Sequence, residues 1–331
     1  MKKKLLIFLF LLGSIQGSAQ RFQKINKLES LLISETDHKK LVNVCYELSK
    51  LYEPTNSEKA MENARRSLTI SKSLQYNEGI VKAYNQIGIL ELHFAQYQAA
   101  LDAHYSALRN NEQTKDQRGV SLSNLFIGQV YQEKGEFQIA EGFYNLSLEI
   151  AKEINCSLCL SKVNSSLGDL SHVQGKDNLS LQYYLVALEA VSLTNNTEEL
   201  AEVTFSLAFL YKNAKKNNQA LDYYLKSLGD FERVNNKEKQ AVVCFEIGLL
   251  YQAENEFDLA VLYMKNSLGL AEKTGLKAYI KKGYENLANV YEKNEDHKLA
   301  YEYLKYYLAI KDTREISELE AQLDIENKNQ V

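Results

Sequence analysis

The sequence predicts an all-α protein: an α–α superhelical solenoid of about seven helix–turn–helix units with a helical C-terminal extension. Three columns of residues carry that reading. A small residue stands at Gly88, Gly128, Gly168, Ala208, Gly248 and Ala288, each 40 positions after the last. Twelve positions on comes a second small residue, at Ala100, Ala140, Ser180, Ala220, Ala260 and Ala300, and eight further on a leucine, from Leu108 to Leu308. Self-similarity at a period of 20–50 residues marks a solenoid, in which each unit buries its apolar face on its neighbours. Composition agrees. Apolar residues make up 45% of the 331, enough for a continuous core, and there is a single proline, Pro54. Average chains carry about 5% proline, so little here interrupts a helix.

Met1 to Gln20 has the pattern of a secretory signal. Lys2–Lys4 supply the charged start, Leu5–Leu12 the apolar run, and Gly17-Ser18-Ala19 the small residues of a cleavage site. The expected organisation is a signal peptide over 1–19, an N-terminal capping helix over 20–37, an array of seven copies over 38–314, and a helical, coiled-coil-like tail over 315–331. Phe22, Ile25, Leu28, Leu31 and Leu32 stand at helical spacing, as a helix covering the open end of an array would require. In the first copy Cys45, Leu48 and Tyr52 match later columns, Pro54 breaks the helix, and Ala60 restores the frame. Full copies follow near 78–115, 118–155, 158–194, 197–235, 237–274 and 277–314. The turns inside the copies are polar, as in Glu133-Lys134-Gly135-Glu136 and Lys215-Lys216-Asn217-Asn218, with Gly or Asn where a helix end needs positive φ. Ile310, Ile316, Leu319 and Leu323 extend the last helix from about His297 to about Asn327, either as a plain cap or as a coiled-coil start open to self-association.

Charge narrows the partner. The net charge is −4, and loss of Lys2–Lys4 with the signal leaves 36 basic against 43 acidic residues, or −7. Phosphate binding needs a concentrated basic face, so nucleic acid is not the expected ligand. After signal cleavage no stretch reaches the roughly 20 apolar residues of a membrane span. No Gly-rich phosphate loop, nucleophile elbow or zincin helix occurs. His38, His93, His104, His172 and His297 are scattered over different copies. A non-enzymatic protein without cofactor or metal is therefore expected.

The columns resemble those of the tetratricopeptide repeat (TPR) family. One copy reads Asn124, Ile127-Gly128, Tyr131, Ala140, Tyr144, Ser147; another reads Cys244, Ile247-Gly248, Tyr251, Ala260, Met264, Ser267. The resemblance covers residues 38–314. It departs from the usual period of 34, and the proline that usually ends the second helix is missing. Six added residues shared by two helices lengthen each by about 4–5 Å. With the signal and the ending Tyr303–Asp312, the chain resembles the periplasmic sensor regions of Bacteroidetes-type signalling proteins. In these the last helix leads toward a membrane helix and a histidine-kinase or DNA-binding output.

The resemblance implies a protein or peptide ligand held in a groove lined by first helices, through the residues three before and one after the small mark. Those pairs are Asn85/Ile89, Leu125/Gln129, Ser165/Asp169, Phe205/Phe209, Phe245/Leu249 and Glu285/Asn289. Phe205, Phe209, Phe245 and Leu249, flanked by Lys212, then form an apolar groove, with His172 at its polar end. The alternative is that these residues fill the interior of a tightly curled array. The family's clamp for a C-terminal carboxylate needs Lys or Arg in the first of these columns, which holds neither. Cys45 and Cys244 fall in one column of a first helix and read as buried small hydrophobes. Cys156 and Cys159, at a turn in a chain bound for an oxidising space, form either a local disulfide or two inert thiols. A thioredoxin-like role calls for a βαβ context that the pattern lacks, and zinc for four ligands.

Overall fold

The computed structural model describes residues 23–53 and 55–311. The signal segment, Pro54 and the 315–331 tail lie outside the described residues, as does the part of the last helix expected beyond 311. An opening helix, α1, spans 23–34. Thirteen helices follow: α2 His38–Tyr52, α3 Ser57–Ser73, α4 Asn77–His93, α5 Tyr97–Thr114, α6 Gln117–Glu133, α7 Phe137–Glu153, α8 Ser157–Val173, α9 Asp177–Ser192, α10 Thr197–Asn213, α11 Asn217–Arg233, α12 Lys237–Ala253, α13 Phe257–Thr274 and α14 Lys277–Lys293. A last helix, α15, covers 297–311. The chain divides into two compact units, one holding α1–α10 up to Lys216, the other α11–α15 from Asn217.

The 40-residue period has a simple origin. Most helices hold 17 residues, as α6, α7 and α8 do, and three-residue turns such as 134–136 and 154–156 join them. Both helices of a copy are long, so the six extra residues are shared between them. From α3 onward every turn but the one after α9 carries one residue in the left-handed region, and these recur at multiples of 20 positions: Gln75, Ala95, Lys115, Gly135, Asn155, Gly175, then Lys215 to Glu295. The next residue closes the helix with a six-to-one bond, as in Glu136 N–H to the Tyr131 carbonyl and Cys156 N–H to the Ala151 carbonyl. This is the Schellman arrangement, which satisfies carbonyls that a helix end leaves open. The break in the series falls after α9, which stops one residue early at Ser192. Gly and Asn fill only some of these positions. The rest hold Gln, Ala, Lys or Glu at a local cost.

Packing explains the small marks. A methyl group added at Gly128 would meet the Tyr144 ring at 2.6 Å and the Ala140 carbonyl oxygen at 3.2 Å. Gly88 faces His104 in the same way, Gly168 faces Tyr184, and Gly248 faces Met264. Each mark thus accepts the large residue 16 positions later, and Ala140 and Ala260 are fully buried beside it. A second column ties the helices by polar bonds: Ser67 Oγ donates to the Val42 carbonyl at 3.1 Å, and Ser267 Oγ to the Ala241 carbonyl at 2.7 Å. In the first unit α1 covers the open end, with Ile25 buried and Leu28, Leu31 and Leu32 packed beside Val44, Leu48 and Tyr52. The interior then continues as Leu125, Tyr144, Val163 and Leu167. In the second unit Met264, Leu287, Val290, Tyr291 and Ala300 form the core.

Candidate functional site

The structure separates the two columns expected to line a groove. The residue three before the mark is largely inside. Leu125 packs with Val163 and Leu167 of the next first helix. Asn85 Oδ1 stands 3.2 Å from His104 Nδ1, inside the same copy. Phe245 is only 4% exposed; Tyr279 of α14 meets its ring edge-on at 5.6 Å, and Lys282 Nζ lies 5.9 Å above it. Phe205 is half-buried. Phe245 is therefore a packing residue and not an open anchor. The physical reason is direction: three residues back on a helix turns the side chain toward the next first helix in the stack. The residue one after the mark is half-buried in some copies and exposed in others. Gln129 is half-buried, Asp169 is exposed, and Phe209 is 36% exposed. Leu249, in the second unit, is half-buried and packs with the cluster around Met264.

In the first unit this column borders a cavity of about 490 Å³, walled by Leu92, His93, Gln129, Gln132, Glu133, Tyr144, Ser166 and Asp169. Its walls come from α4, α6, α7 and α8. The Tyr144 hydroxyl donates to Gln132 Oε1 at 2.9 Å, and Gln129 Nε2 to Ser166 Oγ at 3.4 Å. Tyr184 donates its hydroxyl to Asp169. Burial first, and the Asp169 carboxylate second, raise the pKa of both tyrosines, so both stay protonated donors. The cavity offers fixed amides and hydroxyls together with two carboxylates.

One turn along α8 from Asp169 stands His172, on the same face. Its Nδ1 lies 2.7 Å from Asp177 Oδ1 and its Nε2 3.3 Å from Asn213 Nδ2. The ring meets Phe209 edge-on at 5.8 Å, and Lys212 Nζ caps Phe209 at 5.1 Å. His172, Phe209 and Lys212 thus come together, on the α8–α10 side of the polar cavity. Gln132, Tyr144 and Ser166 were not foreseen from the sequence. The available signal was the Tyr144/Tyr184 column, whose hydroxyls reach past the glycine marks to the open face.

Elsewhere, His104 is buried at 1% exposure, stacked on Phe126 at 5.2 Å, and burial lowers its pKa to about 4. Cys45 and Cys244 are buried, and burial raises both thiols, Cys244 to about 12. Cys156 and Cys159 stand bonded at the start of α8. Among the described residues no helix is long and apolar enough to cross a membrane.

The family profile described as the SusR N-terminal TPR domain matches residues 16–278. The chain belongs to that family. Its helices form the TPR-type α–α solenoid, and solved structures share the fold. The apo form of the quorum sensor NprR from B. thuringiensis is 17% identical, with 93% of each chain covered and a TM-score of 0.58. BtubC from P. vanneervenii is 20% identical over 79% of this TPR chain and 93% of its own, with a TM-score of 0.56. A Rap protein complexed with competence and sporulation factor is 14% identical over 89% of this chain and 98% of its own, with a TM-score of 0.53. No curated protein sequence matches the chain.

Proposed function

We propose that this TPR chain is an exported, non-enzymatic binding protein that holds an extended peptide segment on the first-helix face of α4, α6, α8 and α10. The observation that carries the reading is the polar cavity of Gln129, Gln132, Tyr144, Ser166 and Asp169, set beside the Phe209 cluster. Side-chain amides and hydroxyls suit the main chain of an extended peptide, whose N–H and C=O groups need partners when they leave water. Asp169 and Glu133 favour a cationic side chain or amino terminus. Phe209 and the Lys212 stem take an apolar side chain next to it. The fold shared with the Rap protein complexed with competence and sporulation factor supports a peptide as the ligand class.

Peptides selected by display against the purified chain test this. Asp169→Asn combined with Phe209→Ala is expected to weaken a selected peptide at least about tenfold, the loss of roughly 1.4 kcal/mol, while the protein stays folded by circular dichroism. Equal affinity in the variant would overturn the reading. Export rests on the Lys2–Ala19 pattern, and N-terminal sequencing of the mature protein should begin near Gln20.

A second reading is the sensory part of a membrane signalling protein with a histidine-kinase or DNA-binding output. The matching family is described as an N-terminal domain, which favours it. The test is the genomic reading frame: a membrane helix and an output domain downstream of Val331 would support it, and an immediate stop codon would refute it.

A further inference from the structure

The Cys156-Ser157-Leu158-Cys159 motif plays no part in the face described above. Its two sulfurs are joined, with the Cα atoms 5.2 Å apart. The two halves differ in access: Cys156 is partly exposed, whereas Cys159 is only 1% exposed. Cys156 is the N-cap of α8, and its Sγ accepts the Cys159 backbone N–H at 3.2 Å.

The repeat supplies its own comparison for this sulfur. One period before Cys156 the N-cap of α6 is Asp116, and one and two periods after it stand Asn196 of α10 and Asn236 of α12. Their side-chain oxygens accept the N–H of Gly119, Glu199 and Lys239 at 3.0, 2.9 and 3.1 Å. In α8 the sulfur of Cys156 takes the place of that oxygen. It therefore occupies a position that these three copies fill with a hydrogen-bond acceptor, in one of them a carboxylate, whereas Tyr76 of α4 and Leu276 of α14 make no such bond. First-turn N–H groups and the positive end of a 17-residue helix favour negative charge there. A thiolate at Cys156 is stabilised by the same bond, whereas Cys159 is sequestered.

We infer that Cys156 and Cys159 form an exchangeable dithiol–disulfide couple, with Cys156 the sulfur that reacts with small thiols and Cys159 its buried resolving partner. A βαβ context is not required for this chemistry. It needs an accessible sulfur, a stabilised thiolate and a neighbouring thiol, and one helix end supplies all three. In the reductive direction the thiolate of a low-molecular-weight thiol attacks Cys156 Sγ. The bond to Cys159 Sγ breaks, and Cys159 leaves as a thiolate and takes a proton from water. A second small thiolate then attacks the small-molecule sulfur of the mixed disulfide and releases Cys156, whose thiolate keeps its bond from the Cys159 N–H. Two small thiols are oxidised to one disulfide, and the protein disulfide is reduced to two cysteines. The oxidative direction reverses each step.

The test uses the full chain, folded, equilibrated in glutathione buffers of graded ratio, quenched in acid, alkylated and read by peptide mass spectrometry. The buried Cys45 and Cys244 serve as internal controls. The expected result is passage of the Cys156–Cys159 peptide from disulfide to dithiol within millimolar glutathione buffers. In Cys159→Ser, Cys156 is expected to take up one glutathione and to alkylate at pH 6 at least about tenfold faster than free cysteine, as a helix N-terminal thiol with lowered pKa does. A pair that stays disulfide across the titration and opens only in urea would overturn the inference, as would one that stays reduced in oxidised glutathione. A Cys156 in Cys159→Ser no faster than free cysteine would overturn it as well. If circular dichroism shows that variant unfolded, the titration of the unaltered chain decides alone.

Discussion

Single residues carry the repeat through close approach. Gly128 leaves no room for a methyl group between the Tyr144 ring and the Ala140 carbonyl, whereas Gly248 faces the flexible Met264 at 2.7 Å. Gly128→Ala should lose about 1–3 kcal/mol as an overpacked core does, and Gly248→Ala clearly less, both read by urea unfolding. At Ala95, in the left-handed region at φ 54° and on the surface, the sign reverses. Ala95→Gly should gain about 1 kcal/mol, the steric cost of a Cβ in that conformation. His104 brings a pH dependence. Burial penalises the charged ring and lowers its pKa from the ordinary 6.5 to about 4. Above the unfolded value the histidine costs nothing. As pH falls from about 6.5 to about 4 the unfolded chain binds a proton that the folded chain refuses, and stability drops by up to roughly 3 kcal/mol. His104→Tyr, the residue of the Tyr144 and Tyr184 copies, should remove that slope in urea titrations at pH 7 and pH 4.5.

At the scale of the element, the helix and turn plan was legible in the sequence because packing and capping residues recur with the period. Gly88, Gly128, Gly168 and Gly248 located the crossings, and the polar turns located the ends. The site was only half legible. Periodicity gives the direction of a side chain from its own axis, but not which neighbouring helix lies over it. Phe205, Phe209 and Phe245 look alike in sequence, yet Phe245 meets Tyr279 while Phe209 stays open beside His172. Phe245→Ala should cost about 3–5 kcal/mol, the range for a core phenylalanine. Phe209→Ala should change stability by under about 1 kcal/mol, since its ring is already partly in water. A matched pair of unfolding curves separates them. Gln132 and Ser166 were illegible for a different reason: single polar residues on a long helix read as solvated surface until a second helix brings them around one cavity.

For the whole molecule, a TPR stack supplies many similar positions, and the proposed binding face lies on copies that depart from the pattern. In the unit of α1–α10 the departures gather on one face: Gln129, Asp169 and Phe209 replace one another down one column and Gln132, His172 and Lys212 down the next, with the Tyr144 and Tyr184 hydroxyls bonded to Gln132 and Asp169. The family match sets the scaffold, and this face is where the chain differs from a plain packing array. The central claim is that an extended peptide lies there. A photocrosslinking amino acid placed at Gln129, and in a second protein at Leu179, an exposed residue of α9, tests it with one display-selected peptide. Crosslinking from position 129 and none from 179 is the result expected. Crosslinking from 179, or from neither position while the peptide still binds, would contradict the account.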